Sequence, residues 1–312
     1  MALLGNVTLL DVAKNMPDSK EKGIIMTYAT SYHPLATMPF ETVPGGTKKW
    51  KVVNDLSYSD SSSAYRNLEA EHIATRTPTQ TFNANVKIAG GRVKMDRLLK
   101  DLAPGDVPIQ REGQIASYAR QITIDMFEGA GGSALYGITN LIDNQPLFGG
   151  QVVNGGTAST GALITEDMMD EFRAKINYVP GSTFFYMNGA PYRRLRKLAR
   201  GNIATTGYNV QYTPEQFGYF AGFYDDVPCI VLQDGKGTDL LSNTTGDGSS
   251  TTVYAVTYGA ENVIGFQLKP ITVIPMNEIS VLEAFDIEHP MNFACQSVRC
   301  IAKLQYVKNA VA

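Results

Sequence analysis

Residues Asp106 to Gly132 read DVPIQREGQIASYARQITIDMFEGAGG, the longest unbroken helical pattern in the chain. Asp106 is placed to cap the free amides of a first turn, Pro108 sits where its missing N–H costs nothing, and Gly129, Gly131 and Gly132 end the run. Between these signals Ile115, Tyr118, Ala119, Ile122 and Met126 recur at helical spacing and form one apolar stripe. Gln110, Gln114, Ser117, Gln121 and Glu128 fall on the opposite side. The pattern predicts a helix over 107–128, about 30 Å long at the usual rise per residue, which is enough to cross a small domain.

The 312 residues and 34.0 kDa are enough for one large domain or two interleaved ones. Only 18% of the residues are charged, and a formal charge of -3 lacks the clustered cationic surplus that tight phosphate binding needs. Any part played with DNA is therefore indirect. The start, MALLGNVTLLDVAKNM, lacks the cationic, long apolar and small-residue pattern of a secretory signal, and no apolar run reaches the roughly 20 residues that cross a bilayer. Folding in a cytoplasm is expected. Cys229, Cys295 and Cys300 are an odd set without framework spacing, so reduced thiols are expected as well.

Residues 6–16 predict one short amphipathic helix with Val7, Leu10 and Ala13 on a side, broken by Pro17, Asp18 and Ser19. Too short to stand alone, it reads as an arm lying on another subunit or on the domain body, or else as a frayed terminus. The run Lys48 to Val53 and the alternating Thr79 to Ile88 predict two strands. Between them SYSDSSSAYRNLEAEH has almost no aliphatic residue and cannot bury a core by itself. A connection of that length has either work outside the domain, as a projecting hairpin ordered by a neighbour, or none, as a mobile surface loop. Gly90-Gly91 is expected to end the second strand, and RVKMDRLLKD to lead into the spine.

Beyond the spine, Thr165 caps a predicted helix with Glu166 and Asp167 in its first turn, Arg173 and Lys175 in its last, and Met168, Phe172 and Ile176 on one face. Thr183 to Met187 reads as a buried strand. Pro191 opens a second helix, where Arg193, Arg194, Arg196, Lys197 and Arg200 surround Tyr192, Leu195, Leu198 and Ala199. The acidic whole favours a solvated or intersubunit face here over a DNA patch. Val227 to Leu232 and Thr252 to Tyr258 are continuous apolar runs of buried-strand type, and helices alternating with such strands predict a mixed α/β layer over 133–275. The closing segment alternates, with Val298, Cys300, Ala302, Leu304 and Tyr306 facing one way, and is expected to cover the spine's stripe.

No catalytic constellation emerges. GGTASTG lacks the lysine of a phosphate loop, and the acidic pairs Asp225-Asp226, Glu166-Asp167 and Glu69-Glu71 have no positioned base or nucleophile. His289, Cys295 and Cys300 are the nearest approach to a metal set. On one strand spanning 293–307, however, the odd spacing of the cysteines would put them on opposite faces. The expectation is a protein that is not an enzyme, with no cofactor and no metal.

The order of TLLDVAKNM, the polar hairpin, GGRVKMDRLLKD, the helix with its FEGAGG end, YGITNLIDNQ, FFYMNGAPYRRLRKLAR, VPCIVLQDG and TVYAVTYGAENVIGFQ resembles the major capsid proteins of tailed bacteriophages with the Hong Kong 97-type fold. The resemblance implies an α+β fold with an N-terminal arm at 1–30 and an extended β-hairpin loop at 42–85. It further implies a peripheral domain at 31–41, 86–132 and 276–312 that holds the long spine helix, and an axial α/β domain at 133–275. It implies self-assembly as pentamers and hexamers into an icosahedral head that encloses double-stranded DNA by confinement. Expected partners are other copies of the chain, a portal, a separate scaffolding protein and a decoration protein, with no membrane. Expected localisation is the virion, after assembly in the host bacterial cytoplasm. Candidates for contacts between copies are Trp50, Tyr58, Tyr65, Arg66 and Glu69 in the loop and Arg193, Arg194 and Arg196 on the basic helix. The alternative on the same fold is an encapsulin-like cellular nanocompartment. Lysine-to-asparagine crosslinking, known in some relatives, is not carried over, because no motif pairs Lys48, Lys49 or Lys51 with a partner.

Overall fold

The computed structural model describes residues 8–14, 19–53, 79–96, 106–157, 160–202, 212–214, 220–234, 236–243, 249–275 and 282–310. The helices are α1 (Leu9–Lys14), α2 (Ser19–Thr30), α3 (His33–Thr37), α4 (Asp106–Glu128), α5 (Ile138–Asn144), α6 (Glu166–Lys175) and α7 (Gly189–Asn202). The strands are β1 (Phe40–Thr42), β2 (Thr47–Val53), β3 (Thr79–Asn85), β4 (Lys87–Asp96), β5 (Val152–Asn154), β6 (Thr183–Met187) and β7 (Tyr212–Pro214). They continue with β8 (Phe220–Tyr224), β9 (Val227–Val231), β10 (Ser250–Thr257), β11 (Val263–Gln267), β12 (Thr272–Pro275), β13 (Leu282–Cys295) and β14 (Ile301–Lys308).

The spine is α4, a single rod of 23 residues. Its stripe is buried as the spacing predicts: Ile115, Ala119, Ile122 and Met126 are all inside, with Tyr118 half-buried. The apolar sector is wider than the stripe, because Thr123 and Phe127 are also fully buried. Thr123 satisfies its hydroxyl within the helix by donating to the Ala119 carbonyl at 2.8 Å, so burying it leaves no orphan donor. Gly131 and Gly132 end the rod with φ of 84° and 71°, a left-handed turn that L side chains resist. Glu128, expected on the polar side, is half-buried: its Oε1 accepts from the Ser242 N–H at 2.9 Å, and burial raises its carboxyl above the usual range. The last turn is enclosed by the 241–243 segment, which helical periodicity cannot anticipate.

Two sheets flank the rod. The first is built on β13, which receives β4 along one edge and β11 and then β12 along the other, with β1 parallel on β11. The second runs β5-β14-β10-β6-β9-β8-β7. Side chains of β6 and β10 alternate between two cores. Phe184, Tyr186, Tyr254 and Val256 face the core shared with α4, whereas Phe185, Met187, Val253 and Ala255 face the core under α6 and α7. With both faces covered, these strands are buried at every position, threonines and Ser250 included.

Several expectations are corrected. A helix not anticipated, α2, begins at Ser19, a residue read as part of a break, and lays Ile24, Ile25 and Tyr28 into the core beside α4. In α1 Leu9 is buried and Leu10 half-buried. The described part of the arm thus packs on its own body. In α6 the side-chain oxygen of Thr165 accepts from the Met168 N–H as predicted, while Met169 takes the fully buried place expected for Met168.

Strand β4 does not stop at Gly90-Gly91 but continues through it, because the Tyr118 ring and the Ile287 carbonyl need the room. A Cβ on Gly91 would meet the ring at 2.3 Å, and one on Gly90, at φ 141°, would meet the carbonyl at 1.9 Å. Strand pairing runs across the boundary expected at residue 275. Residues 263–267 and 272–275, placed in the axial unit by sequence, hydrogen-bond to β13, and 301–308, placed in the peripheral unit, lie inside the second sheet between β5 and β10. The closing strand therefore does not form the spine's cover; α2 and β4 pack on α4 instead.

Candidate functional site

The hairpin predicted between residues 42 and 85 is present at its base. Strands β2 and β3 pair in register from Thr47 opposite Asn85 to Val53 opposite Thr79. Successive strand side chains point to opposite faces, so one face is turned to the body and the other to solvent. Lys48, Trp50, Val52, Gln80, Phe82 and Ala84 are on the inner face, and the residues between them are exposed. The anchor is Trp50: its indole N–H donates to the Cys295 carbonyl at 2.8 Å and its ring stacks on Phe82 at 5.9 Å. Phe82 in turn meets Phe148 at 5.9 Å. Lys48 pairs with Glu41. A cavity of about 150 Å³ lies beneath, bounded by Trp50, Phe82, Leu141, Phe148, Phe293 and Cys295 among others.

The sequence-derived contact candidates separate accordingly. Trp50 holds the hairpin to the first sheet within the chain, with its ring half-buried. Tyr58, Tyr65, Arg66 and Glu69 lie outside the described residues. On α7, Arg193 and Lys197 are exposed while Arg194 and Arg196 are half-buried, and Tyr192 and Leu195 enter the core. The basic side of this helix is therefore a surface, one turn apart at its two exposed members.

Sequence reasoning missed a second surface, on β4. Among the described residues this strand pairs only with β13, so its other edge is open, a row of backbone donors and acceptors available to another chain. Ile88 stands 76% exposed on it, the most exposed large apolar side chain among the described residues. Arg92 and Asp286 close a two-bonded ion pair across β4 and β13, at 2.7 and 2.8 Å, which raises the guanidinium and lowers the carboxyl. The available signal was the apolar Ile88 beside a glycine pair inside a strand pattern.

Among the described residues, the buried titratable groups are set by desolvation and hydrogen bonds. His33 bonds the Tyr186 hydroxyl at 3.0 Å and meets the Phe184 ring edge-on, and burial pushes it down to about 4. His289 shares 3.0 Å with the Gln267 side-chain carbonyl and is pushed down to about 3 by full burial. Burial pushes the Cys229 thiol up to about 12. No group of three or more potential metal-ligating side chains occurs among the described residues. The geometric premise used against a shared site at Cys295 and Cys300 fails, however. The strand is interrupted between them by a turn with a 3₁₀ segment at Val298–Cys300, and both side chains lie in the same buried cluster.

No family model matches the sequence, and no curated protein matches it. Solved structures do. The holo-SrpI encapsulin complex from Synechococcus elongatus PCC 7942 matches with a TM-score of 0.60 at 15% identity, over 88% of this chain and 87% of that one. The capsid of the native GTA particle matches with a TM-score of 0.59 at 13% identity, over 90% of each chain. The capsid of cyanophage A-1(L) matches at 0.59 and 10% identity, over 88% of this chain and 92% of that one. These neighbours are shell proteins, not enzymes. With one long rod, a docked hairpin base and two sheets sharing its core, the chain has the Hong Kong 97-type fold.

Proposed function

We propose that this chain is the major capsid protein of a tailed phage, assembling as pentamers and hexamers into an icosahedral head around double-stranded DNA. The observation that carries the reading is the extent of the likeness: about nine-tenths of this chain and of a capsid subunit superimpose, so little is left over for another activity. Shells are held by many modest, self-complementary contacts, which suit a surface low in charge and rich in tyrosine and glycine. DNA held by confinement needs no cationic surplus and is compatible with a net charge of -3. Domain roles follow the expected division, adjusted to the pairing of strands, and the loop beyond β2 and β3 is assigned to a neighbouring copy. Portal, separate scaffolding protein and decoration protein remain the proposed partners, and the virion the proposed location.

A second reading is favoured by the encapsulin match, whose TM-score of 0.60 equals that of the capsids within their spread. In it the same shell encloses a protein cargo. The content of particles purified from the native source separates the two: nucleic acid supports the phage head, and protein cargo without nucleic acid supports the compartment. The loop assignment is tested by deleting residues 55–75. The expected result is a folded subunit that no longer closes particles; normal shells from this variant would refute the assignment.

A further inference from the structure

Cys295 and Cys300 occupy the crossover between the two sheets. Cys295 is the last residue of β13, Cys300 immediately precedes β14, and five bonds of chain turn between them. Both side chains are buried, at 1% and 0% exposure, in one core cluster, and Cys300 adds to burial in raising the Cys295 thiol. The Cys300 thiol also donates to the Ser297 carbonyl at 2.8 Å, which holds it inside the turn. A buried thiol is ordinarily inert for want of access. Here Cys295 lines the cavity of about 150 Å³ under the hairpin base, a space larger than a few water molecules. The lid of that cavity is Trp50, the only tryptophan in the chain, bonded through its indole to the Cys295 carbonyl.

We propose that this pair is an oxidisable dithiol, converted by a small peroxide entering beneath Trp50 into a Cys295–Cys300 disulfide that clamps the crossover between the sheets. The chemistry balances in two steps. The Cys295 sulfur attacks one peroxide oxygen, the O–O bond breaks, one water leaves, and a sulfenic acid is formed. The Cys300 sulfur then attacks that sulfur, the S–O bond breaks, and the second water carries away the remaining thiol proton. Two thiols and one hydrogen peroxide give one disulfide and two waters. Burial keeps the Cys295 thiol protonated, so the reaction is slow and excess peroxide is needed. The third cysteine, Cys229, belongs to the core under α6 and α7 and takes no part. The proposal stands whether or not the subunit forms shells.

The test is oxidation of the purified full-length protein with hydrogen peroxide, read by intact mass, peptide mapping and tryptophan emission. The expected product has lost about 2 Da relative to the reduced chain after correction for methionine oxidation, with one linked peptide containing both cysteines. Trp50 emission falls in step, because a disulfide beside an indole quenches it, and a dithiol reductant restores both. In Cys300→Ser the loss of mass and the quenching disappear, and oxidation stops at oxygen addition on Cys295. The proposal is overturned if Met26, which is 39% exposed, becomes oxidised while both thiols stay reduced. It is equally overturned if Cys295 gains oxygen in the native chain without linking to Cys300, or if Cys229 appears in the linked peptide.

Discussion

The second sheet and the hairpin base are both made of strands, yet they are held in opposite ways. Strands β6 and β10 are buried at every position, because each face of the sheet has its own core. Strands β2 and β3 turn one side chain in two inward, mostly half-buried, and rest on contacts around Trp50, Phe82 and Ala84 and on the Lys48–Glu41 pair. The difference separates what must stay fixed in a subunit from what can be offered to another one. A doubly covered sheet has both faces occupied, whereas a one-sided hairpin keeps an exposed face and, among the described residues, pairs with no third strand.

The sharpest test of this contrast removes one large ring from each region. Phe185 is fully buried and stacked on Phe172 at 5.3 Å. Phe185→Ala is expected to lower the free energy of unfolding by about 3–5 kcal/mol, the usual cost of an emptied aromatic site, as measured by denaturant titration. A loss below about 1 kcal/mol would show that the second sheet is not the stability reserve of the subunit.

Acid titration gives an intermediate effect. His33 and His289 are held neutral in the fold, with pKa values lowered from 6.5 to about 4 and about 3 by burial. For a histidine with a depressed folded pKa the unfolded chain binds the extra proton, so its stabilisation is complete above pH 6.5 and is lost as pH falls toward the folded value. Glu128, whose carboxyl is raised by burial, acts in the opposite direction over part of that window. Comparing variants therefore isolates the histidines. His289→Gln is expected to flatten the decline in unfolding midpoint between pH 6.5 and about 3 relative to the native chain. Parallel declines would remove His289 from the account.

Trp50→Ala should have the smallest global effect, about 1–2 kcal/mol, because the ring is only half-buried. Its local effect should be larger: amide exchange across residues 47–53 and 79–85 speeds up while that of β6 and β10 is unchanged. Equal acceleration in both regions would erase the distinction between them.

These two regions also differ in how much of them was legible in sequence. The spine was readable because its stripe, its capping signals and its glycine end agree. Strand β6 was readable because a run such as TFFYM has no face for water. The Trp50 side of the hairpin was visible as alternation, but its partner surface was not: the Cys295 carbonyl is 245 positions away, and no local pattern encodes it. The exchange of strands between sheets has the same origin. β11, β12 and β14 have ordinary strand sequences, and only long-range pairing decides which sheet takes them. Helix α2 was missed because its pattern is weak and its order comes from packing against α4, not from its own propensity. The cysteine pair was misread for want of one turn: an uninterrupted strand separates the thiols, whereas the bend at residues 296–300 brings them together.

The most direct measurement is electron microscopy of the purified full-length protein at assembly concentration. Closed, symmetric particles built from pentamers and hexamers are expected. A uniformly small, stable monomer that never closes into shells would contradict the capsid reading.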